Sequence, residues 1–192
     1  MPAASLQLVL VRHGETEWSR DGRHTGRTDL PLTDEGLREA EQVVPLLHGF
    51  TFERVLSSPL SRALETCRLA GLADGVEVRD ELLEWDYGEY EGLTTAEIHQ
   101  ARPEWVLWRD GCPAGEQPVD VGVRADRVLA ELAAQEADVA IFGHGHMLRV
   151  LTARWLELPP AEGARFVLST ATLSVLGWEH DWHAIRTWNA RG

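Results

Sequence analysis

The chain has 192 residues, 44% of them hydrophobic and 26% charged, with a net charge of −13 and a pI near 5.0. That length suits one domain, residues 1–192, with a real hydrophobic core. The acidic balance argues against a nucleic-acid partner, which needs a basic patch, and no apolar run is long enough to cross a bilayer.

The first apolar run, Leu6 to Val11 (LQLVLV), reads as a buried β-strand because it is short, β-branched and closed by Arg12-His13-Gly14. A polar, glycine-bearing loop follows from Glu15 to Pro31. A helix is expected from about Thr33, capped by Thr33 or Asp34, with Leu37, Ala40, Val44 and Leu47 at helical spacing. Arg54 to Ser57 reads as a short strand, and Ser61 to Gly71 as a helix with Leu64, Cys67 and Ala70 on one face. Val76 to Arg79 is a further short strand, and Asp80 to Gly92 is acidic and irregular.

Thr94 and Glu97 have capping-box spacing at the start of a short helix to Gln100. Pro103 to Pro118 reads as a loop-rich segment carrying Trp105 and Trp108. Pro118 to Gln135 is helical, with Val121, Ala125, Val128 and Leu132 facing inward. Val139 to Phe142 is a strand ending in Gly-His-Gly-His, and Met147 to Leu156 is a helix. Thr172 to Trp178 and Trp182 to Trp188 close the chain as two strands joined by a polar turn. Strands alternating with helices predict an α/β fold: a mostly parallel central sheet covered on both faces, a three-layer α/β/α sandwich.

Two strands end in glycine-flanked histidines, His13 and His144. In a parallel sheet both reach the carboxyl edge, where open α/β folds bind ligands. One such histidine would be read as a satisfied polar residue; two in matched contexts indicate a site. Arg62 stands where a strand hands over to a helix, so a positive side chain joins a positive helix end. A cluster of Arg12, Arg62, His13 and His144 in so acidic a chain suits a phosphoryl group, which guanidinium groups grip bidentately. A competing reading makes Asp80, Glu84 and Asp86, or His144 and His146, ligands of a metal ion.

All 18 basic residues are arginine. That excludes a Walker lysine, a Schiff-base lysine and a Ser-x-x-Lys nucleophile. The two cysteines, Cys67 and Cys112, form no CxxC pair, which argues against a disulfide or zinc knuckle. The N-terminus lacks a charged n-region and cleavable apolar stretch, so the expected location is cytoplasmic.

The segments VRHGETEW (Val11 to Trp18), HTGRTDLPLTDEG (His24 to Gly36), SSPLSRALET (Ser57 to Thr66), EWDYGEYEG (Glu84 to Gly92) and GHGHMLR (Gly143 to Arg149) together resemble the histidine phosphatase, or phosphoglycerate-mutase-like, superfamily. The resemblance spans nearly the whole chain. It is most similar to the phosphatase subgroup that includes actinobacterial acid phosphatases and fungal sedoheptulose bisphosphatase.

The resemblance implies roles for particular residues. His13 matches the nucleophile that becomes phosphohistidine. Arg12, Arg62 and His144 match the groups that hold phosphoryl oxygens, and Glu84 matches the general acid and base. Ser19, Thr25, Gly26 and Gly145 fall at substrate-contacting positions. The adjacent Asp80, Glu81, Asp86, Glu89 and Glu91 are expected to keep a proton on Glu84 by like-charge repulsion. The implied activity is hydrolysis of a small phosphomonoester, such as a sugar phosphate, with no metal and no other cofactor. Mutase-type phosphotransfer and phospho-ligand binding without turnover are the alternatives. Mutases carry a longer basic insertion, whereas the segment from Gly92 to Pro118 holds only Arg102 and Arg109. Trp105 and Trp108 could stack on a substrate or simply pack. An exposed edge strand near the C-terminus is compatible with a homodimer.

Overall fold

A computed structural model describes residues 6–192. Its centre is a six-stranded sheet in the order β3-β2-β4-β1-β5-β6, built from β1 (Leu8–Arg12), β2 (Phe52–Ser57), β3 (Glu77–Val78), β4 (Asp138–Gly143), β5 (Leu173–Glu179) and β6 (Trp182–Ala190). The first four strands named in that order run parallel. β5 pairs antiparallel with β1, and β6 antiparallel with β5.

β1 is buried on both faces, and its alternation sorts the two cores. Leu8 and Leu10 join the cluster of α6 (Pro118–Leu132) and α7 (Gly145–Trp155). Val9 and Val11 join the cluster that holds Cys67 and Ala70, next to α2 (Asp34–Glu41) and α3 (Ser61–Leu69). The expected three layers are therefore present. On α6, Val121, Ala125, Val128 and Leu132 are all buried, as their spacing predicted. Three short helices, α1 (Glu17–Arg20), α4 (Thr95–Ala101) and α5 (Leu107–Asp110), and the 3-10 turns Val44–Leu47, Asp80–Leu82, Gly88–Tyr90 and Pro160–Arg165 complete the helical segments among the described residues.

The long helix expected from Thr33 through Leu47 is interrupted. Thr33 caps α2 as predicted, accepting from the Gly36 N–H at 3.0 Å. The helix ends at Glu41, because Pro45 has no N–H to continue the ladder and restricts Val44. The chain turns, so Val43 rather than Val44 enters the core; Val44 is exposed. No helix among the described residues is long and apolar enough to cross a membrane.

Register positions the two histidines. Arg12 pairs with Gly143 across β1 and β4, so His13 and His144 leave the sheet side by side. Their rings lie 5.1 Å apart, centroid to centroid.

Candidate active site

His13 is nearly fully buried at the end of β1. Its Nδ1 lies 2.7 Å from the Gly14 carbonyl, which can only accept, so Nδ1 carries the proton. Nε2 is then a bare lone pair. Burial first, then the charges of Arg62 and Arg12, hold the ring well below the usual histidine range, so it is neutral.

Arg12 donates from Nη1 to the Leu168 carbonyl at 2.5 Å. Its Nε is the one buried side-chain nitrogen or oxygen among the described residues without a hydrogen-bond partner. An unsatisfied buried donor on a cation is costly unless a ligand completes it.

Arg62 is fully buried in the first turn of α3. It donates to His144 Nδ1 at 3.2 Å and to the carbonyls of Thr28, Thr25 and Gly26 at 2.9, 3.2 and 3.0 Å. With Nδ1 accepting, the His144 proton sits on Nε2 and donates to Ser58 Oγ at 2.7 Å. Burial and Arg62 keep His144 neutral as well.

Glu84 is buried against the start of α7, where His144, as N-cap, makes no side-chain cap. Its Oε1 accepts from the backbone N–H groups of Trp85 at 2.8 Å and Met147 at 2.9 Å, and its Oε2 from that of His146 at 3.0 Å. A carboxylate oxygen has two lone pairs, so Oε1 is fully engaged and Oε2 keeps one position open.

These groups meet at a cavity of about 270 Å³ lined by Arg12, His13 and Glu84, together with Ser19, Thr25 and Gly145. Three of the expected site residues stand outside that lining: Arg62, His144 and Gly26. Arg62 and His144 form the layer behind His13. Gly26 is held by its own backbone, whose N–H donates to Glu91 at 2.9 Å, and a Cβ there would lie 2.5 Å from the Trp85 carbonyl. The Ser19 hydroxyl completes the capping box of α1, accepting from Thr16 N–H at 2.9 Å and donating to its carbonyl at 3.0 Å.

The rest of the lining comes from residues that the sequence reading did not assign to it, among them Arg23, His24, Tyr87, His146 and Arg149. His146 and Arg149 lie three apart on α7, one helical turn, and that spacing within GHGHMLR was the available signal. Trp105 and Trp108 do not line the cavity. Trp105 is buried and donates to the Gly111 carbonyl at 2.8 Å, while Trp108 packs beneath Arg149 and His146.

The acids near Glu84 are occupied elsewhere. Asp86 accepts from Gly88 N–H at 3.0 Å and faces Arg27 at 3.7 Å. Glu91 holds Gly26 and Thr28. Two of the five acids expected to crowd Glu84 are thus engaged elsewhere, while three backbone donors meet Glu84 itself. The suggested set of Asp80, Glu84 and Asp86 does not assemble: no group of three or more His, Cys, Asp or Glu suited to a metal is found among the described residues.

The sequence matches the histidine phosphatase superfamily (branch 1) over residues 8–191. It is 47% identical over 185 residues to an acid phosphatase of Mycobacterium tuberculosis, covering 94% of this chain and 90% of that one. It is 37% identical over 190 residues to sedoheptulose 1,7-bisphosphatase of Saccharomyces cerevisiae, covering 82% and 70%. Among solved structures, the product of an open reading frame of Mycobacterium tuberculosis superposes with a TM-score of 0.92 at 43% identity, covering 96% of this chain and 97% of that one. A mycobacterial glucosyl-3-phosphoglycerate phosphatase superposes with a TM-score of 0.86 at 29% identity, covering 96% and 98%. Fold and relatives agree: the chain belongs to branch 1 of the histidine phosphatase superfamily and is a phosphatase enzyme.

Proposed function

We propose that the chain hydrolyses a small, sugar-like phosphomonoester through a phosphohistidine at His13, without a metal. The observation that carries this reading is the tautomer of His13: its Nδ1–H donates to the Gly14 carbonyl, which leaves Nε2 of the neutral ring as the nucleophile, in a site that also holds the unpaired Nε of Arg12.

In the first step Nε2 attacks phosphorus and the P–O ester bond breaks. The departing oxygen takes a proton from Glu84 Oε2, the oxygen with an open position, so Glu84 enters this step as the carboxylic acid and leaves it as the carboxylate. In the second step Glu84 accepts a proton from water, the resulting oxygen attacks phosphorus, and the P–N bond breaks to release inorganic phosphate. Charge on the equatorial oxygens is met by Arg12 directly and by Arg62 from the layer behind. His144 turns its Nε2 proton from Ser58 to a phosphoryl oxygen. Ser19, Thr25 and Gly145 border the organic part of the substrate, and Gly26 fixes the loop that carries Thr25. With these cations in place the chemistry needs no divalent ion.

The cavity volume suits a small metabolite better than a macromolecule. The names of the sedoheptulose bisphosphatase and glucosyl-3-phosphoglycerate phosphatase relatives support a sugar phosphate. The test is phosphate release from a panel of sugar phosphates with excess EDTA present, together with acid-quench trapping of phosphoenzyme in wild type and His13→Ala. Turnover that survives EDTA, with label on the wild type alone, is expected. A stable phosphoenzyme that passes its phosphate to 3-phosphoglycerate instead of water would overturn the hydrolase reading in favour of a mutase.

A further inference from the structure

His146 takes no part in the steps above, yet its ring lines the same cavity. The Tyr87 hydroxyl lies 2.5 Å from its Nδ1. Tyr87 is 2% exposed, and burial followed by the nearby Glu84 charge pushes its hydroxyl well above the usual range, so the phenol keeps its proton. Burial, reinforced by Arg149, holds His146 well below the usual histidine range, so the ring is neutral and has a single N–H. Tyr87 therefore donates to Nδ1, and the ring proton sits on Nε2. No acceptor for that proton is found among the described residues. Edge contacts with Trp85 and Trp108, at centroid distances of 6.2 and 5.2 Å, fix the ring plane.

The backbone of the same residue donates to Glu84 Oε2 at 3.0 Å, and the ring and that carboxyl group line the same cavity. Atoms of the substrate beyond the ester oxygen must pass this face. We propose that His146 Nε2–H is a specificity-determining donor that binds an oxygen acceptor on the leaving group, and that Tyr87 is its positioning residue. The inference rests on the hydrolase reading above and narrows its substrate class to phosphate esters of oxygen-rich alcohols. A hydroxyl oxygen, a carboxylate or a second phosphate could each accept this bond.

The test compares kcat/KM for fructose 6-phosphate, fructose 1,6-bisphosphate and 3-phosphoglycerate with that for p-nitrophenyl phosphate, whose leaving group has no hydroxyl or carboxylate near the ester. In His146→Leu the ratio for at least one oxygen-rich substrate is expected to fall about ten-fold, chiefly through KM, the scale of one hydrogen bond. A fall with fructose 6-phosphate identifies a hydroxyl acceptor. A fall confined to the bisphosphate or to phosphoglycerate identifies an anionic one. His146→Gln, which can offer an N–H at the same reach, restores much of the ratio. Tyr87→Phe lowers the ratio about three-fold by freeing the tautomer, and adds nothing to His146→Leu, because it acts through that ring. An equal fall for every substrate, an unmoved ratio, or an additive double variant overturns the inference while leaving the hydrolase reading standing. A folded wild type that releases phosphate from none of the four substrates sinks both.

Discussion

Glu84 closes the first turn of α7: its Oε1 accepts the Met147 N–H at 2.9 Å, so one carboxylate both caps the helix and borders the cavity. Glu84→Gln should therefore show two separable losses. An amide has only one oxygen with which to meet three backbone donors, and the mismatch should lower stability by about 1–3 kcal/mol in urea denaturation. Turnover of alkyl phosphates should fall about 10²–10⁴-fold, and that of p-nitrophenyl phosphate much less, because p-nitrophenolate leaves without a proton. Near-wild-type rates on an alkyl phosphate would remove Glu84 from the role of acid.

Arg62→Lys keeps the charge and loses the fork. The guanidinium reaches His144 and the carbonyls of Thr25, Gly26 and Thr28 in different directions, which a single ammonium cannot do. Leaving such buried acceptors unpaired should cost roughly 1–3 kcal/mol, and kcat should drop about a hundred-fold as the layer behind His13 loosens. Thermal melts and steady-state rates on one preparation check both.

The buried histidines predict acid lability. His13, His144 and His146 are held well below 6.5 in the fold, and His24 falls to about 4 through burial. The unfolded chain binds protons near pH 6.5 that these folded rings refuse, so stability is full above pH 6.5 and declines as pH falls below it. His24 alone should account for about 3 kcal/mol by pH 4. Denaturation midpoints from pH 8 to pH 4.5 check this; a flat profile down to pH 5 would contradict it. His13 is held well below 6.5 by burial and by Arg62 and Arg12, so phosphoenzyme formation should not decline near pH 6.5.

Gly14 and Gly36 touch backbone to backbone. A Cβ on Gly14 would lie 2.2 Å from the Gly36 carbonyl, and one on Gly36 would lie 2.1 Å from that of Glu15. Neither oxygen can retreat without moving the segment that orients His13. Gly36→Ala should cost about 1–3 kcal/mol and reduce kcat, read by calorimetry and phosphate release; an unchanged Tm would show that the contact yields.

The parts of the site carried by strand ends were legible in the sequence, because the same signals that mark a strand also mark where it stops. Arg12, His13 and His144 are such residues, and register did the rest. The loop-borne wall was not legible. Arg23, His24 and Tyr87 follow no period, and their meeting depends on contacts between segments some 65 residues apart, such as Glu91 with Gly26. The same long-range pairing engages Glu91 with Gly26 and Thr28, although it stands close to Glu84 in sequence. Pro45 was visible, yet the apolar spacing across it masked the break, and the core took Val43 in place of Val44.

The segment from His24 to Thr28 is fastened on both sides. Arg62 takes its carbonyls, Glu91 takes the N–H groups of Gly26 and Thr28, and His24 exchanges backbone bonds with Leu93 and Gly92. A wall so fastened is no door. With both sides of this segment bonded, no lid motion is expected to limit turnover, and a kcat limited by chemistry should be indifferent to added sucrose or glycerol viscosity. Under the proposed phosphohistidine mechanism, the cavity that this segment borders would admit the water that resolves the covalent intermediate.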